Sequence, residues 1–432
     1  MALDIKQLEA EIIEQYLEND NNRPWIVGFS GGKDSRMLLQ VVWYALQKVV
    51  KELRKREVFV VCNDTLVENP KIIQFNEKVL KQIQKAAVNK SLPITVINTI
   101  PKLEDSFWVN LIGRGYPAPN KIFRWCTERL KINPTTRFIL EKVQERGEAI
   151  ILLGTRSDES SRRAQSIKSK EVTGKRLSKH MLPNSWVYAP IKSVTIDELW
   201  QYMLQVPCPW GSDNRELVTL YKNANSGDCP LVIDKTTPSC GNSRFGCWVC
   251  TVVDRDKSME GLIENGEEWM EPLLDLRDYL AKSRESTEYR YETRRDGTRK
   301  EGVLGPYKEK FRSDFLEKLL NAQKEIQETQ DEIEFITYQE LVAIQVMWFR
   351  DHYFEPTVSD IYNKVYGTVL DLGELNESVI KEKNLLKDVC KEDKKYYDLI
   401  NDLLTLQKTK ILLMKNRGLQ KDIEERILRF TK

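Results

Sequence analysis

Histidine is almost missing from this chain: its 432 residues include two, His180 and His352. A Ser-His-Asp triad or histidine-based zinc hydrolysis needs several placed imidazoles, so both chemistries are nearly excluded. Long apolar runs are missing too. None approaches the ~18 residues a membrane span requires, so no membrane partner is expected. The opening MALDIKQLEAEIIEQ lacks a basic stretch followed by an apolar one. It does not read as a secretion signal, and a cytoplasmic protein is expected. Nor is one sign of charge in excess: 67 Lys and Arg face 65 Asp and Glu, and a net +2 decides nothing about partners.

With 41% hydrophobic and 31% charged residues the composition excludes a disordered tail and fits an enzyme with a polar helical surface. The length exceeds what one compact core usually absorbs, so two domains or a domain with a large appendage are expected. There are eight cysteines, and five of them (Cys208, Cys229, Cys240, Cys247, Cys250) fall within 43 residues. In a reducing compartment such a crowd points to a metal site more than to disulfides.

Along residues 1–206 short apolar runs alternate with amphipathic stretches. Trp25–Phe29, Val58–Cys62, Ile94–Ile97, Ile150–Leu153 and Trp186–Tyr188 read as strands, and residues 69–89 and 133–146 as helices. The pattern predicts an α/β fold, a doubly wound and mostly parallel sheet covered on both faces. Residues 207–258 form a Cys-rich stretch of Pro, Gly and Asn that would need an external staple. Residues 259–432 read as a mainly helical region, with a break at 290–306 and Lys/Glu/Leu-rich helices at 311–350 and 376–430. No internal repeat is visible.

The first strand runs into Ser30-Gly31-Gly32-Lys33-Asp34-Ser35 and then a helical pattern. The glycines let the backbone turn sharply and aim successive N–H groups at an anion, and the helix N-terminus adds its positive end. Lys33 supplies a mobile cation, and Ser30 and Ser35 supply hydroxyl donors. The Walker A spacing is not met, so an ordinary P-loop NTPase is excluded. In open α/β sheets ligands lie at the carboxyl ends of strands, where this loop is.

These six residues resemble the PP-loop of the ATP pyrophosphatase superfamily. That resemblance implies ATP bound by its pyrophosphate part and attack at the α-phosphorus. The stretch Ile122-Phe123-Arg124-Trp125-Cys126 to Lys131-Ile132-Asn133-Pro134 is similar to the Arg-x-Cys…Lys-x-x-Pro motif of phosphoadenylylsulfate reductases. Gly154-Thr155-Arg156 through Glu159-Ser160-Ser161-Arg162-Arg163 resembles their Gly-x-Arg…Glu-Ser-x-x-Arg motif, and Ala189-Pro190-Ile191…Trp200-Gln201-Tyr202 resembles the close of their fold. The resemblance spans roughly residues 20–205 and implies that Arg124, Arg156, Arg162 and Arg163 face nucleotide or substrate phosphates. With the loop, Asp64 after the second strand and Gly154 would line the ATP site.

Cys126 stands among Arg124, Arg129 and Lys131, cations that favour a reactive thiolate; a nucleophile or persulfide carrier is expected, against the common fate of a small buried side chain. In assimilatory adenylylsulfate reductases a Cys-Cys pair at this place ligates iron, whereas here Thr127 follows. The spacing Cys229-x10-Cys240-x6-Cys247-x2-Cys250 suits four thiolates on one centre and leaves zinc and an iron–sulfur cube both open. A PP-loop domain followed by this spacing and a helical tail resembles the DndC family, with its sister SspD, of bacterial DNA phosphorothioation systems. That resemblance implies ATP and Mg2+, a [4Fe–4S] cluster on Cys229, Cys240, Cys247 and Cys250, and sulfur chemistry for Cys126. It implies as partners DNA, a cysteine desulfurase as sulfur donor, and other phosphorothioation proteins. A sulfonucleotide reductase, a tRNA thiolase and an ATP-sensing scaffold are the alternatives. Cys208 and Cys390 match no part of the pattern.

Residues 156–180 carry eight Lys and Arg against three Asp and Glu and would attract a polyanion. Residues 290–300, with five basic and two acidic residues beside Tyr289 and Tyr291, would be either a DNA-contacting loop or a solvated surface.

Overall fold

In a computed structural model of the chain, residues 3–18, 23–159, 175–223, 246–294, 298–351 and 355–368 are described, with a few isolated positions besides. The chain forms two compact units, residues 1–102 with 119–277, and residues 103–118 with 278–432.

The first unit is built on a six-stranded sheet of order β3-β2-β1-β4-β6-β5. Its strands are β1 (Trp25–Gly28), β2 (Val58–Asn63), β3 (Ile94–Thr99), β4 (Ala149–Leu152), β5 (Leu177–Lys179) and β6 (Ser185–Tyr188). The pairs β1–β2, β1–β4, β2–β3 and β4–β6 are parallel, while β5 pairs antiparallel with β6 at the edge. Side chains alternate across a strand, so Trp25, Val27, Val58, Val60, Ile150 and Leu152 face one core and Ile26, Phe59, Val61 and Ile151 the other.

The first core is covered by α1 (Ile5–Leu17), α2 (Lys33–Lys48), α3 (Pro70–Asn89) and a later helix Ile196–Gln205. On the second core lie Phe138 and Ile139 of α4 (Asn133–Arg146), with the rings of Phe59 and Phe138 5.5 Å apart, edge to face. Both faces are therefore dry, which is why the strands read as continuous apolar runs. The expected α/β architecture is the one observed. No helix among the described residues is long and apolar enough to cross a membrane.

One local feature departs from the sequence reading. Asn214–Asn223 is a helix inside the Pro-, Gly- and Asn-containing stretch 207–258, because Leu217 and Tyr221, one turn apart, are buried in the first core. The helical stretch expected over 311–350 holds two helices, Glu309–Gln327 and Tyr338–Arg350. Thr337 and Glu340 form a reciprocal cap that starts the second one afresh.

In the second unit these helices and Val358–Tyr366 follow one another, and residues 107–112 supply Phe107, Trp108, Leu111 and Ile112 to the buried set. Trp108 Nε1 donates to Phe335 O at 2.6 Å, and Trp348 Nε1 and Arg312 Nε share Ile112 O at 2.9 and 2.7 Å. Of the basic residues of the 290–300 stretch, Arg295 lies outside the described residues. Arg290 is buried with Nε on Gly305 O at 2.8 Å, and Arg299 pairs with Glu292. The expected helices beyond residue 376, and Cys390, lie outside the described residues apart from isolated positions.

Candidate nucleotide and thiol site

The loop after β1 is folded back on the first turn of α2. Gly31 has φ +76°, a left-handed conformation that costs glycine nothing. A Cβ there would lie 1.8 Å from Asn76 Oδ1 of α3, so a side chain would have to displace the Asn76 amide as well as adopt this strained backbone. Gly31 O accepts from Arg36 Nε at 3.0 Å, while Gly32 O accepts from Ser35 Oγ and Arg36 N, each at 3.0 Å. Both carbonyls are thus turned toward the helix. In a trans peptide the following N–H points the other way, so those of Gly32 and Lys33 face away from it.

Two further contacts shape the loop. Ser35 Oγ lies 3.3 Å from Ser30 Oγ and accepts from Ser30 N at 3.2 Å. From the helix Asn214–Asn223, the buried Tyr221 hydroxyl meets the Lys33 backbone, and the Lys33 ammonium lies 5.6 Å from its ring. Burial raises the Tyr221 hydroxyl, with Lys33 pulling it partly back.

Asp34 sits between two cations, its carboxylate 3.3 Å from Lys33 Nζ and 2.6 Å from Arg156 Nε. Arg156, expected at a nucleotide phosphate, is 2% exposed and also donates to Val194 O at 3.1 Å. It is placed as a brace behind the loop. Gly154 lets the end of β4 touch the start of α2: a Cβ there would be 2.8 Å from Asp34 O.

These elements wall a cleft of about 520 Å3, inside the range usual for small-molecule sites. Ser30, Asp34 and Ser35 line one end, with Gly154 and Thr155 beside them. Asn63, Asp64 and Asn98 line its side at the carboxyl ends of β2 and β3, and Cys62 lies among them with its thiol pushed up to about 12 by burial. The Asp64 carboxylate accepts from Leu66 N at 2.8 Å, fixing the turn that leaves β2.

Glu68 and Lys131 line the same cleft, and there the thiols begin. Lys131 Nζ is 3.7 Å from Glu68 Oε1, and Thr65 Oγ1 lies 3.0 Å from that carboxylate and 3.3 Å from Cys247 Sγ. The Cys-x-x-Cys segment is sewn to the β2–α3 loop by Asn69 N to Gly246 O at 3.2 Å and Trp248 N to Val67 O at 3.0 Å. Arg277 holds its far side through Cys250 O at 3.0 Å and Asp254 O at 2.9 Å, and Thr251 Oγ1 ties it to Pro119 O at 2.6 Å. Trp248, between the two cysteines, is 1% exposed.

Lys131 is raised above an ordinary lysine, first by Cys247, then, against desolvation, by Glu68, Cys250 and Cys126. The three thiols therefore share one neighbourhood around this ammonium. Burial pushes Cys247 up to about 12, so at neutral pH it is a thiol and Glu68 is the charged partner of Lys131.

Cys126 does not carry the favoured thiolate expected of it. Burial first, and Cys250 second, raise its thiol, and the opposing pull of Thr127 and Lys131 does not overcome them. Arg124, close in sequence, is exposed. Arg162, Arg163, Cys229 and Cys240 lie outside the described residues, as does most of the basic stretch 156–180. Among the described residues no three His, Cys, Asp or Glu side chains converge on a metal position. The placed pair Cys247 and Cys250 offers half of a four-thiolate set, with the right donor chemistry for an iron–sulfur cube.

A family model, the phosphoadenosine phosphosulfate reductase domain, matches residues 24–253, more than half of the chain. The chain belongs to that family. An uncharacterized protein of Methanocaldococcus jannaschii is 25% identical over 261 residues, 60% of this chain and 43% of its own length, so the chain spans less than half of that relative. Among solved structures, phosphoadenylyl-sulfate reductase from Candida auris aligns at 13% identity over 47% of this chain and 87% of that one, with a TM-score of 0.28. The U34-tRNA thiolase NcsA from Methanococcus maripaludis, with its [4Fe-4S] cluster, aligns at 14% over 51% and 73%, with a TM-score of 0.28. FMN adenylyltransferase of Candida glabrata aligns at 12% over 54% and 67%, with a TM-score of 0.29. At such scores these three carry no argument.

Two outcomes are expected. Gly154→Ala pushes the start of α2 off β4 and weakens ATP binding by about tenfold or more, in line with the ~1–3 kcal/mol of an overpacked site; calorimetric titration with an unchanged Kd would contradict this. Because burial disfavours the charged form, Cys126 ionises at higher pH than an ordinary thiol. Its alkylation by iodoacetamide, followed by mass spectrometry of its peptide, is expected to be slower than that of free cysteine at pH 7.5 and to accelerate only in alkali; faster labelling would refute the raised thiol.

Proposed function

We propose that the protein is an ATP pyrophosphatase and sulfurtransferase that activates a DNA backbone phosphate and supports replacement of a non-bridging oxygen by sulfur. One observation carries this reading: Ser30, Asp34 and Ser35 of the loop line the same cleft as Glu68 and Lys131, and Cys247 packs beside that pair through Thr65. In this reading the loop grips the nucleotide's phosphates and the thiols act from beside the Lys131 end of the same cleft.

In this reading Mg-ATP lies with its β- and γ-phosphates on the N–H groups of the loop and its adenine near Cys62–Asp64. Lys33 neutralises charge as pyrophosphate leaves, and Asp34, clamped by Arg156, keeps the loop from moving. A DNA phosphate oxygen attacks the α-phosphorus, the bond to pyrophosphate breaks, and a poor leaving group becomes AMP. The terminal sulfur of a persulfide, supplied by a cysteine desulfurase and carried on Cys126, then displaces AMP. Cleavage of the remaining S–S bond by a thiol frees the phosphorothioate. Lys131 stands where such a sulfur anion would need a cation. Cys229, Cys240, Cys247 and Cys250 would hold a [4Fe–4S] cluster, a group able to supply sulfur, electrons or a brace. Arg162 and Arg163, with the rest of the basic stretch after β4, are the proposed DNA contacts, and other phosphorothioation proteins the proposed partners.

The family's own description favours a second reading, reduction of a ready-made sulfonucleotide without ATP. The two separate cleanly in one assay. With ATP, Mg2+ and DNA, pyrophosphate release is expected, falling about a hundredfold in Lys33→Ala, as when one preorganised electrostatic group is removed. Cys126→Ser is expected to keep that release and lose phosphorothioate, read by nuclease digestion and mass analysis of the DNA. Sulfite formed from phosphoadenylylsulfate, with no pyrophosphate from ATP, would establish the reductase instead.

A further inference from the structure

Arg36 follows the phosphate loop directly and is 0% exposed. Its Nε donates to Gly31 O at 3.0 Å, and its guanidinium stacks on Phe75 with 4.5 Å to the ring centroid. Among the described residues Nη1 and Nη2 have no hydrogen-bond partner. No carboxylate forms an ion pair with it there. The acid that acts on it, Glu216, is engaged with Lys78 at 3.0 Å, and the other groups facing it, Cys208 and Tyr221, are ordinarily neutral. Desolvation depresses the guanidinium to about 10, still charged at neutral pH. A buried cation without a counter-charge is costly, and such a cost persists where the charge serves a ligand.

We propose that Arg36 is a positioning residue for oligophosphate binding, holding the Gly31 carbonyl back so that the Gly32 N–H stays turned to the ligand, with the bound phosphates as its counter-charge. The geometry carries the first half, and the unpartnered Nη1 and Nη2 motivate the second. The Gly31–Gly32 peptide has its carbonyl on Arg36 and its N–H on the opposite side. A cation at the carbonyl also polarises that peptide, strengthening the N–H as a donor. Without it, the left-handed Gly31 is free to rotate the peptide and present an oxygen to the anion, which would repel it. The inference rests on the phosphate loop binding pyrophosphate and extends that reading to a residue outside the six-residue motif.

The test uses inorganic pyrophosphate and the full chain, with titration calorimetry for affinity and thermal melting without ligand. Arg36→Met keeps the bulk and removes the charge. It is expected to weaken pyrophosphate by about tenfold or more, the scale of one hydrogen bond to a charged group, while melting at or above the parent temperature. Arg36→Lys, which keeps the charge and loses the planar fork, is expected to fall between the two in affinity. Affinity within about twofold of the parent in Arg36→Met overturns the proposal. So does an Arg36→Met protein that fails to fold or melts well below the parent, because Arg36 is then a structural residue. Failure of the parent itself to bind pyrophosphate would instead overturn the loop reading, and this inference with it.

Discussion

Everything at this site depends on where two peptide carbonyls point. Those of Gly31 and Gly32 are taken up by the first turn of α2, through Arg36 Nε, Arg36 N and Ser35 Oγ. The N–H groups of Gly32 and Lys33 are thereby turned away from the helix, the Lys33 backbone meeting the Tyr221 hydroxyl. The arrangement leaves no room for a side chain at Gly154, where the Asp34 carbonyl stands, and at Gly31 the left-handed backbone favours glycine. Asp34 in turn is clamped by the buried Arg156. The loop is preformed by parts drawn from β1, α2, α3 and the loop after β4, so the sheet order that brings these together is itself a condition of binding.

The second constraint is the docking of the Cys-x-x-Cys segment onto the loop between β2 and α3. Two backbone hydrogen bonds and the Thr65–Cys247 contact bring a sulfur-rich stretch beside Glu68, which lines the same cleft as Ser30, Asp34 and Ser35 of the loop. Lys131 is the common neighbour of Cys126, Cys247 and Cys250, and the Glu68 carboxylate beside it keeps that region from accumulating positive charge. Burial raises the thiols of Cys126 and Cys247, so a thiolate at either needs a compensating group beside it. Their activation then has to come from what binds next to them.

Much of this was legible in the sequence because it is local. A strand, two glycines, a lysine and a helix start are contiguous, and the central strands announce themselves by apolar runs that a two-faced parallel sheet demands. Strand β5 gave no such sign: Leu177–Lys179 is three residues long, lies at the edge and buries little. The helix Asn214–Asn223 is hidden by the Pro-, Cys- and Asn-rich texture around it, although Leu217 and Tyr221 sit one turn apart. Residues that complete the site from a distance in sequence were not legible. Tyr221, Asn76, Thr65 and Glu68 acquire a role only when the fold brings them to the loop or the thiols. The thiolate expected at Cys126 failed for a related reason: cations can be counted along a chain, but burial cannot, and burial is the larger effect here.

The central claim is that the outward N–H groups of the loop hold the pyrophosphate part of ATP and leave the α-phosphorus open toward Lys131 and the thiols. A crystal structure of the protein with Mg2+ and an ATP analogue carrying a non-hydrolysable α,β-bridge tests it most directly. The account predicts β- and γ-phosphate oxygens on the Gly32 and Lys33 N–H groups and the Lys33 ammonium, with Tyr221 displaced from the Lys33 backbone. Phosphates bound elsewhere in the cleft, or a reversed nucleotide with adenine against the Ser30–Ser35 loop, would contradict it.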